Sequence, residues 1–152
     1  MRSSSWRRGA AVGTTANVLL SAAEPVEKAI LGKTPPYHPS AIADAIIQRS
    51  GSEAADMTRA TLTLALRWGT GAALGVAYAA VRPVLPRSRV AAGLLFGAAL
   101  LGFERTALPL ARVAPPIAEW PRQERIALAV HSFLWALAAA AVDGRGRHAR
   151  RP

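Results

Sequence analysis

The stretch that decides the fold is GLLFGAALLGFERTALPLAR, residues 93–112, an apolar run with Glu104 and Arg105 side by side in its second half. At about 1.5 Å per residue, a helix of this length nearly crosses a hydrocarbon core of roughly 30 Å. A charge inside a membrane-length segment is costly and usually faces a protein interior or a water-filled cavity. The stretch therefore predicts a membrane helix with one polar side.

The composition of the whole chain is typical of a membrane protein. Of its 152 residues, 51% are apolar and 18% are charged, and the charges lie between long apolar blocks. The net charge of +10 comes mostly from arginine clusters that flank these blocks. Such clusters indicate topology signals that also contact anionic lipid head groups, and they do not favour nucleic-acid binding. The absence of cysteine excludes disulfides, thiolate nucleophiles and cysteine-ligated metals.

Four apolar segments predict an all-α integral membrane four-helix bundle within residues 9–143. The predicted spans cover residues 9–31, 60–81, 90–111 and 126–142. A basic N-terminus, residues 1–8, precedes them, and a basic tail, residues 144–152, follows and is expected to be disordered.

The first span allows two interpretations. As a membrane helix, it is expected to be kinked at Pro25. Its basic start and short apolar core also resemble a cleavable signal peptide, but Thr14, Thr15 and Asn17 dilute that core, so we favour the membrane helix.

The arginines predict the orientation. With four spans, the N-terminus, the loop between the second and third spans and the tail share one side, and three arginine clusters lie there. The positive-inside bias therefore puts both termini in the cytoplasm, and the abundance of arginine and alanine suits a GC-rich bacterial genome. The clusters are Arg2, Arg7 and Arg8; Arg82, Arg87 and Arg89; and Arg145, Arg147, Arg150 and Arg151.

The longest predicted outward loop, residues 32–58, contains a short helical pattern. Ser40 is a suitable N-cap, and Ile42, Ile46 and Ile47 share one face. The pattern is too short to span a bilayer, so it predicts a short helix on the membrane surface, and a loop helix packed within the protein without lipid contact is the alternative.

Small residues four positions apart recur in every predicted span. They allow helix backbones to approach closely in lipid, and we expect these faces to pack within one chain rather than between chains. The pairs are Gly9 and Gly13, Gly71 and Gly75, Gly93 and Gly97, and Ala136 and Ala140.

Every predicted span also carries an ionisable group in its outward half. At helical rise, Glu24 and Arg67 lie about 10 Å from the outward end of their spans, Glu104 about 12 Å and His131 about 8 Å. Since neighbouring residues differ by about 100° around a helix, one of Glu104 and Arg105 should face inward and the other the interface or a partner helix. The layer can represent snorkelling side chains, an inert buried network, or an outward-open cavity for a proton, an ion or a small ligand.

Several features together support a resemblance. They are the sequence WGTGAALGVAYAAVRP at residues 68–83, Glu104 in the third span, Pro115-Pro116 in the loop before the fourth, and His131 in that span. Over residues 9–142 the chain resembles the YagU-like family of small bacterial inner-membrane proteins. The resemblance implies a four-helix membrane protein, and one type of member is associated with acid tolerance. It implies no activity, ligand or catalytic residue.

The residues do not indicate an enzyme. The chain contains no phosphate-binding loop, nucleophile elbow or HExxH motif, so we predict no catalytic residue, metal or cofactor. His38 is expected to be an ordinary loop residue. The predicted function is proton or small-solute sensing or conduction by the outward polar layer, whose members are Glu24, Arg67, Glu104, Arg105 and His131.

Two alternatives remain open at the level of sequence. One is a structural or accessory subunit of a larger membrane complex, or a homo-oligomer, which would use the small-residue faces and the basic tail. The other is an outer-leaflet lipid-modifying enzyme that uses Glu104 with His131, which would require hydrogen-bond reach between them.

Overall fold

The computed structural model describes residues 3–22, 24–32, 34–51 and 56–148, and this part of the chain is all-helical. A single 3-10 turn, Ile117–Glu119, precedes the last helix. The helices are α1 (Ser3–Ser21), α2 (Glu24–Leu31), α3 (Pro39–Ser50), α4 (Asp56–Val81), α5 (Arg89–Leu110) and α6 (Arg122–His148).

Three of these helices are long and apolar enough to cross a membrane: α4, α5 and the Arg122–Asp143 part of α6. Many of their large apolar side chains face outward, including Phe103, which is 61% exposed, and Leu110, which is 81% exposed. Soluble monomers rarely expose apolar surface on this scale, so these faces suit lipid. The prediction of membrane helices is confirmed at this coarser level.

The first predicted span, residues 9–31, is two helices instead of one kinked helix. α1 ends at Ser21, and α2 begins at Glu24. Pro25 explains the break, because in a continuous helix its ring would clash with the carbonyl of Ser21 and it has no N–H to donate there. α1 and α2 are not among the helices that meet the length and apolarity needed to cross a membrane.

Two of the other helices extend beyond the predicted spans, whereas α5 agrees with its predicted span within one residue at each end. α4 begins at Asp56 and α6 at Arg122, before the expected starts at residues 60 and 126. α6 continues to His148, so residues 144–148, which we expected to be disordered, are helical. Residues 149–152 of the predicted tail lie outside the described residues.

Glycines bring the backbones of α1 and α4 into contact. A Cβ added to Gly9 would lie 2.8 Å from the carbonyl oxygen of Gly75, and one added to Gly13 would overlap the carbonyl oxygen of Gly71. Any side chain at these positions would push the helices apart. The small-residue faces of α1 and α4 therefore pack within the chain, as predicted.

The same arrangement joins α5 to α6. A Cβ on Gly93 would lie 2.9 Å from Cδ2 of Leu137, and one on Gly97 would lie 2.7 Å from Cδ1 of Phe133. Here glycines on one helix accommodate large side chains of the other, and the predicted packing within one chain is again confirmed.

Aromatic rings connect α4, α5 and α6 in the core. The ring of Tyr78 meets that of Phe96 edge to face, with centroids 5.2 Å apart, and Phe96 lies 6.1 Å from the ring of Trp135. Val12 and Ala16 of α1 belong to the same buried cluster. Side chains from all four long helices therefore share one core.

The short helix α3 packs against α4. Ala43 is fully buried, and Asp44 forms an ion pair with Arg59 near the start of α4. One side of α3 therefore packs against the protein, and Ile46 remains on its exposed side.

An ionic cluster joins three of the long helices at the end of the protein away from α3. Arg8 of α1 lies 3.0 Å from a carboxylate oxygen of Asp143 and donates a hydrogen bond of 2.9 Å to its carbonyl. Arg82, just after α4, lies 3.6 Å from the other carboxylate oxygen. Two of the arginines that predicted the orientation thus also connect α1, α4 and α6.

Candidate functional site

Four of the five predicted layer residues line one cavity of about 230 Å³. Glu24, Arg67, Glu104 and His131 reach it from α2, α4, α5 and α6. Most of the remaining lining is apolar, and a few polar groups in an apolar cavity are typical of a site for a small ligand. The cavity lies away from the Arg8–Asp143 cluster, in the half of the protein that contains α3.

The polar centre of the cavity is the ion pair between Arg67 and Glu24. Nη2 of Arg67 donates to Oε2 of Glu24 over 2.9 Å, and Nη1 donates to Oγ of Ser21 over 3.0 Å. Both charged side chains are largely buried, with 19% and 18% exposed. The break at Pro25 explains this geometry, because the end of α1 and the start of α2 both face the same guanidinium.

Asn17 supports this arrangement from within α1. Its Nδ2 donates a hydrogen bond of 2.6 Å to the backbone carbonyl of Arg67. The contact is possible because residue 71 is a glycine that lies against the side chain of Asn17. A Cβ added to Gly71 would lie only 2.9 Å from Cγ of Asn17. The glycine packing of α1 and α4 therefore sets the position from which Arg67 extends.

His38, which we expected to be an ordinary loop residue, belongs to the site. It is 6% exposed, and its Nε2 lies 3.2 Å from Oε2 of Glu24. Its Nδ1 accepts a hydrogen bond from the backbone N–H of Ser40 and caps α3. Since Nδ1 is an acceptor, neutral His38 carries its hydrogen on Nε2 and donates it to Glu24. The helix start at Pro39 and Ser40 could have indicated from the sequence that His38 caps α3. It did not indicate that Glu24 is the partner of His38.

Glu104 has a different environment from Glu24. Its Oε2 lies 2.6 Å from Oγ of Ser132, which also lies 2.8 Å from the carbonyl of Leu128. A serine hydroxyl has one hydrogen, so it donates to one of these two acceptors at a time. If Glu104 is protonated, it donates to Ser132, and Ser132 donates to Leu128. If Glu104 is ionised, Ser132 donates to it instead. The geometry accommodates both protonation states.

His131 lies beside the segment that precedes α3 and the loop between α5 and α6. Its ring centroid is 5.5 Å from that of Tyr37, which stacks on Trp120 at 6.1 Å. Nε1 of Trp120 donates to the carbonyl of Pro115 over 2.9 Å. The segment before α3 and the Pro115-Pro116 loop are thereby joined next to His131.

Trp135 adds a further polar group to the cavity wall. It lines the cavity and is 2% exposed, and its Nε1–H has no hydrogen-bond acceptor among the described residues. A buried donor without an acceptor is uncommon in proteins and often marks a site for a ligand or a bound water.

Arg105, the fifth predicted layer residue, does not reach the cavity. It is exposed and lines a separate groove between α5 and α6. It lies at nearly the same depth on α5 as Glu104, but adjacent positions face different sides of the helix, so Arg105 lies outside the cavity. The accompanying prediction, that Glu104 and Arg105 face different surroundings, is confirmed.

No family model, curated protein or solved structure matches this chain. The geometry of the cavity is therefore the basis on which a function can be assigned.

Proposed function

We propose that this is a small, non-enzymatic membrane protein whose polar cavity binds or conducts protons or small solutes. The observation that carries the proposal is that Glu24, Arg67, Glu104 and His131, from four different helices, line a single cavity. Ionisable groups inside membrane segments are costly, and their convergence on a cavity is typical of proton and solute pathways.

The two carboxyl groups have different roles in this proposal. Glu24 is neutralised by Arg67 and accepts from His38, so it is a fixed part of the site. Glu104 contacts the neutral hydroxyl of Ser132 and forms no ion pair with the described residues, so it is the group that gains and loses a proton. His131 is the second exchangeable group, since histidine ordinarily titrates between about pH 5 and 8.

The proposed topology places the cavity in the outward half of a bacterial inner membrane. In it, α1 with α2 forms the first of four spans, α4, α5 and α6 form the others, and both termini are cytoplasmic. The position of Arg8 and Arg82 at the end away from the cavity supports this orientation through the positive-inside bias. The resemblance to YagU-like proteins extends the same proposal, since a cavity that responds to external acid suits a role in acid tolerance.

The accessory-subunit alternative has less support than it had from the sequence. The glycine faces that suggested a binding surface for a partner are occupied by contacts within the chain. Purification in a mild detergent as a stable, partner-free monomer would count further against that alternative.

Proton flux into liposomes tests the proposal. The purified protein is reconstituted with a pH-sensitive dye inside, and wild type is compared with Glu104→Gln and His131→Ala over about pH 5 to 8. Both variants should lower the proton flux several-fold or shift its pH dependence. Glu119→Gln is the charge-matched control, because Glu119 is exposed on the 3-10 turn and outside the cavity. Identical behaviour of all four proteins across this pH range would refute the proposal.

A further inference from the structure

A second concavity lies on the outer surface of the protein, between α5 and α6. It is an open groove of about 580 Å³. Its floor and sides are mostly apolar and include Leu101, Ile126, Ala129 and Leu134. Since α5 and α6 are both apolar enough to cross a membrane, this groove would face the acyl chains once the two helices lie in a bilayer.

Three arginines line one end of the groove. Arg105 comes from α5, and Arg122 and Arg125 come from the first turn of α6. All three are exposed, and none forms an ion pair with the described residues. Glu104, next to Arg105, faces the internal cavity, and Glu124, between the other two, is 2% exposed. The groove therefore combines positive charge at one end with an apolar track below it.

The dimensions of the groove match one lipid leaflet. The lining residues Arg122, Ile126, Ala129 and Phe133 are three or four positions apart and share one face of α6, and the lining from Arg122 to Leu134 spans about 18 Å at helical rise. Half of a hydrocarbon core is roughly 15 Å thick. Arg122 and Arg125, in the first turn of α6, accordingly lie at head-group level when the apolar residues lie at acyl-chain level, and the long side chain of Arg105 extends from a deeper position toward the same level.

We propose that this groove is a binding site for an anionic phospholipid of the leaflet on the side of the α5–α6 loop. The phosphate accepts hydrogen bonds from Arg105, Arg122 and Arg125, and one acyl chain lies along the apolar track. Arginine suits this role because its planar guanidinium donates to phosphate in bidentate geometry. The site is separate from the internal cavity and does not depend on the function proposed for that cavity.

Native mass spectrometry of the full chain tests the site. The protein is released from nanodiscs that contain equal amounts of phosphatidylglycerol and phosphatidylcholine, and the retained lipids are counted. Wild type should retain one phosphatidylglycerol in preference to phosphatidylcholine. If each arginine near an anionic head group contributes a factor of about five, the double variant Arg105→Gln with Arg125→Gln should lower that retention roughly 25-fold.

Two further variants make the result specific. Arg112→Gln removes a charge from an exposed residue on the same side but outside the groove, and it should change retention by no more than about twofold. Ala129→Phe keeps all three arginines and fills the track, and it should lower retention as well. Wild-type retention in the double variant, or an equal loss in Arg112→Gln, would overturn the proposal. Wild-type retention in Ala129→Phe would overturn the placement of the acyl chain.

Discussion

The ion pair between Glu24 and Arg67 should couple α2 to α4 strongly enough to be measured. The perturbation is a double-mutant cycle with Glu24→Gln, Arg67→Gln and the combined variant. Each single variant leaves a largely buried charge without its partner, whereas the combined variant leaves neither charge. The sum of the destabilisations measured for the two single variants should therefore exceed the destabilisation of the combined variant.

The size of the coupling follows from the exposure of the pair. Exposed ion pairs contribute about 0–1 kcal/mol, whereas removal of one partner from a buried pair costs about 3–5 kcal/mol. The side chains of Arg67 and Glu24 are 19% and 18% exposed, which places them between these limits. We expect a coupling free energy of about 1–3 kcal/mol.

The assay is reversible unfolding in mixed micelles, in which helicity is followed as the denaturing detergent is increased. The chain supplies its own control, because Arg59 on the same helix pairs with Asp44 of α3 in a more exposed setting, with 52% and 34% of the side chains exposed. The corresponding cycle on that pair should give a clearly smaller coupling. A coupling at Glu24 and Arg67 no larger than that of the control pair would refute the account of the site as a buried, interacting centre.

Three other predictions concern packing and the opposite end of the protein. Gly75→Ala should destabilise the folded state by about 1–3 kcal/mol, because its Cβ would overlap α1. Gly69→Ala on the same helix has open space around it and should be neutral or slightly stabilising. Unfolding in micelles measures both effects. Asp143→Asn should weaken the contact with Arg8 and speed amide hydrogen exchange near the start of α1, and unchanged exchange would contradict this. Ser132→Ala should leave Glu104 without its hydroxyl partner and alter the pH dependence of proton flux as Glu104→Gln does, and a wild-type profile would exclude Ser132 from the site.

Much of the fold could be predicted from periodicity and composition. Glycines four residues apart predicted close packing, and the structure shows Gly13 against Gly71 and Gly75, because backbone contact between helices requires the absence of a side chain. The break before Glu24 was underestimated as a kink. A proline limits only its own turn, and whether the chain bends or breaks there depends on tertiary contacts such as those of Arg67 with Ser21 and Glu24.

The candidate site could be predicted in part. Depth along each helix follows from residue counts, and these counts placed Glu24, Arg67, Glu104 and His131 in one layer. In the structure these four residues line one cavity. Depth alone does not give the cavity or groove that a side chain faces, and Arg105 lines a separate groove. Residue counts along a helix assign no depth to a loop residue such as His38. Its contact with Glu24 depends on how residues 34–39 fold back onto the helices, which is a tertiary property.

In the proposed orientation, the polar cavity opens to the outside of the cell. Because the chain contains no cysteine, single substitutions can be labelled without background. The test compares His131→Cys, on the cavity wall, with Val130→Cys, its neighbour at the same depth in the lipid-facing groove. Intact cells are treated with a membrane-impermeant maleimide. His131→Cys should be labelled rapidly and Val130→Cys only slightly. Equal labelling of the two variants, or labelling of His131→Cys only in inverted membrane vesicles, would contradict this prediction.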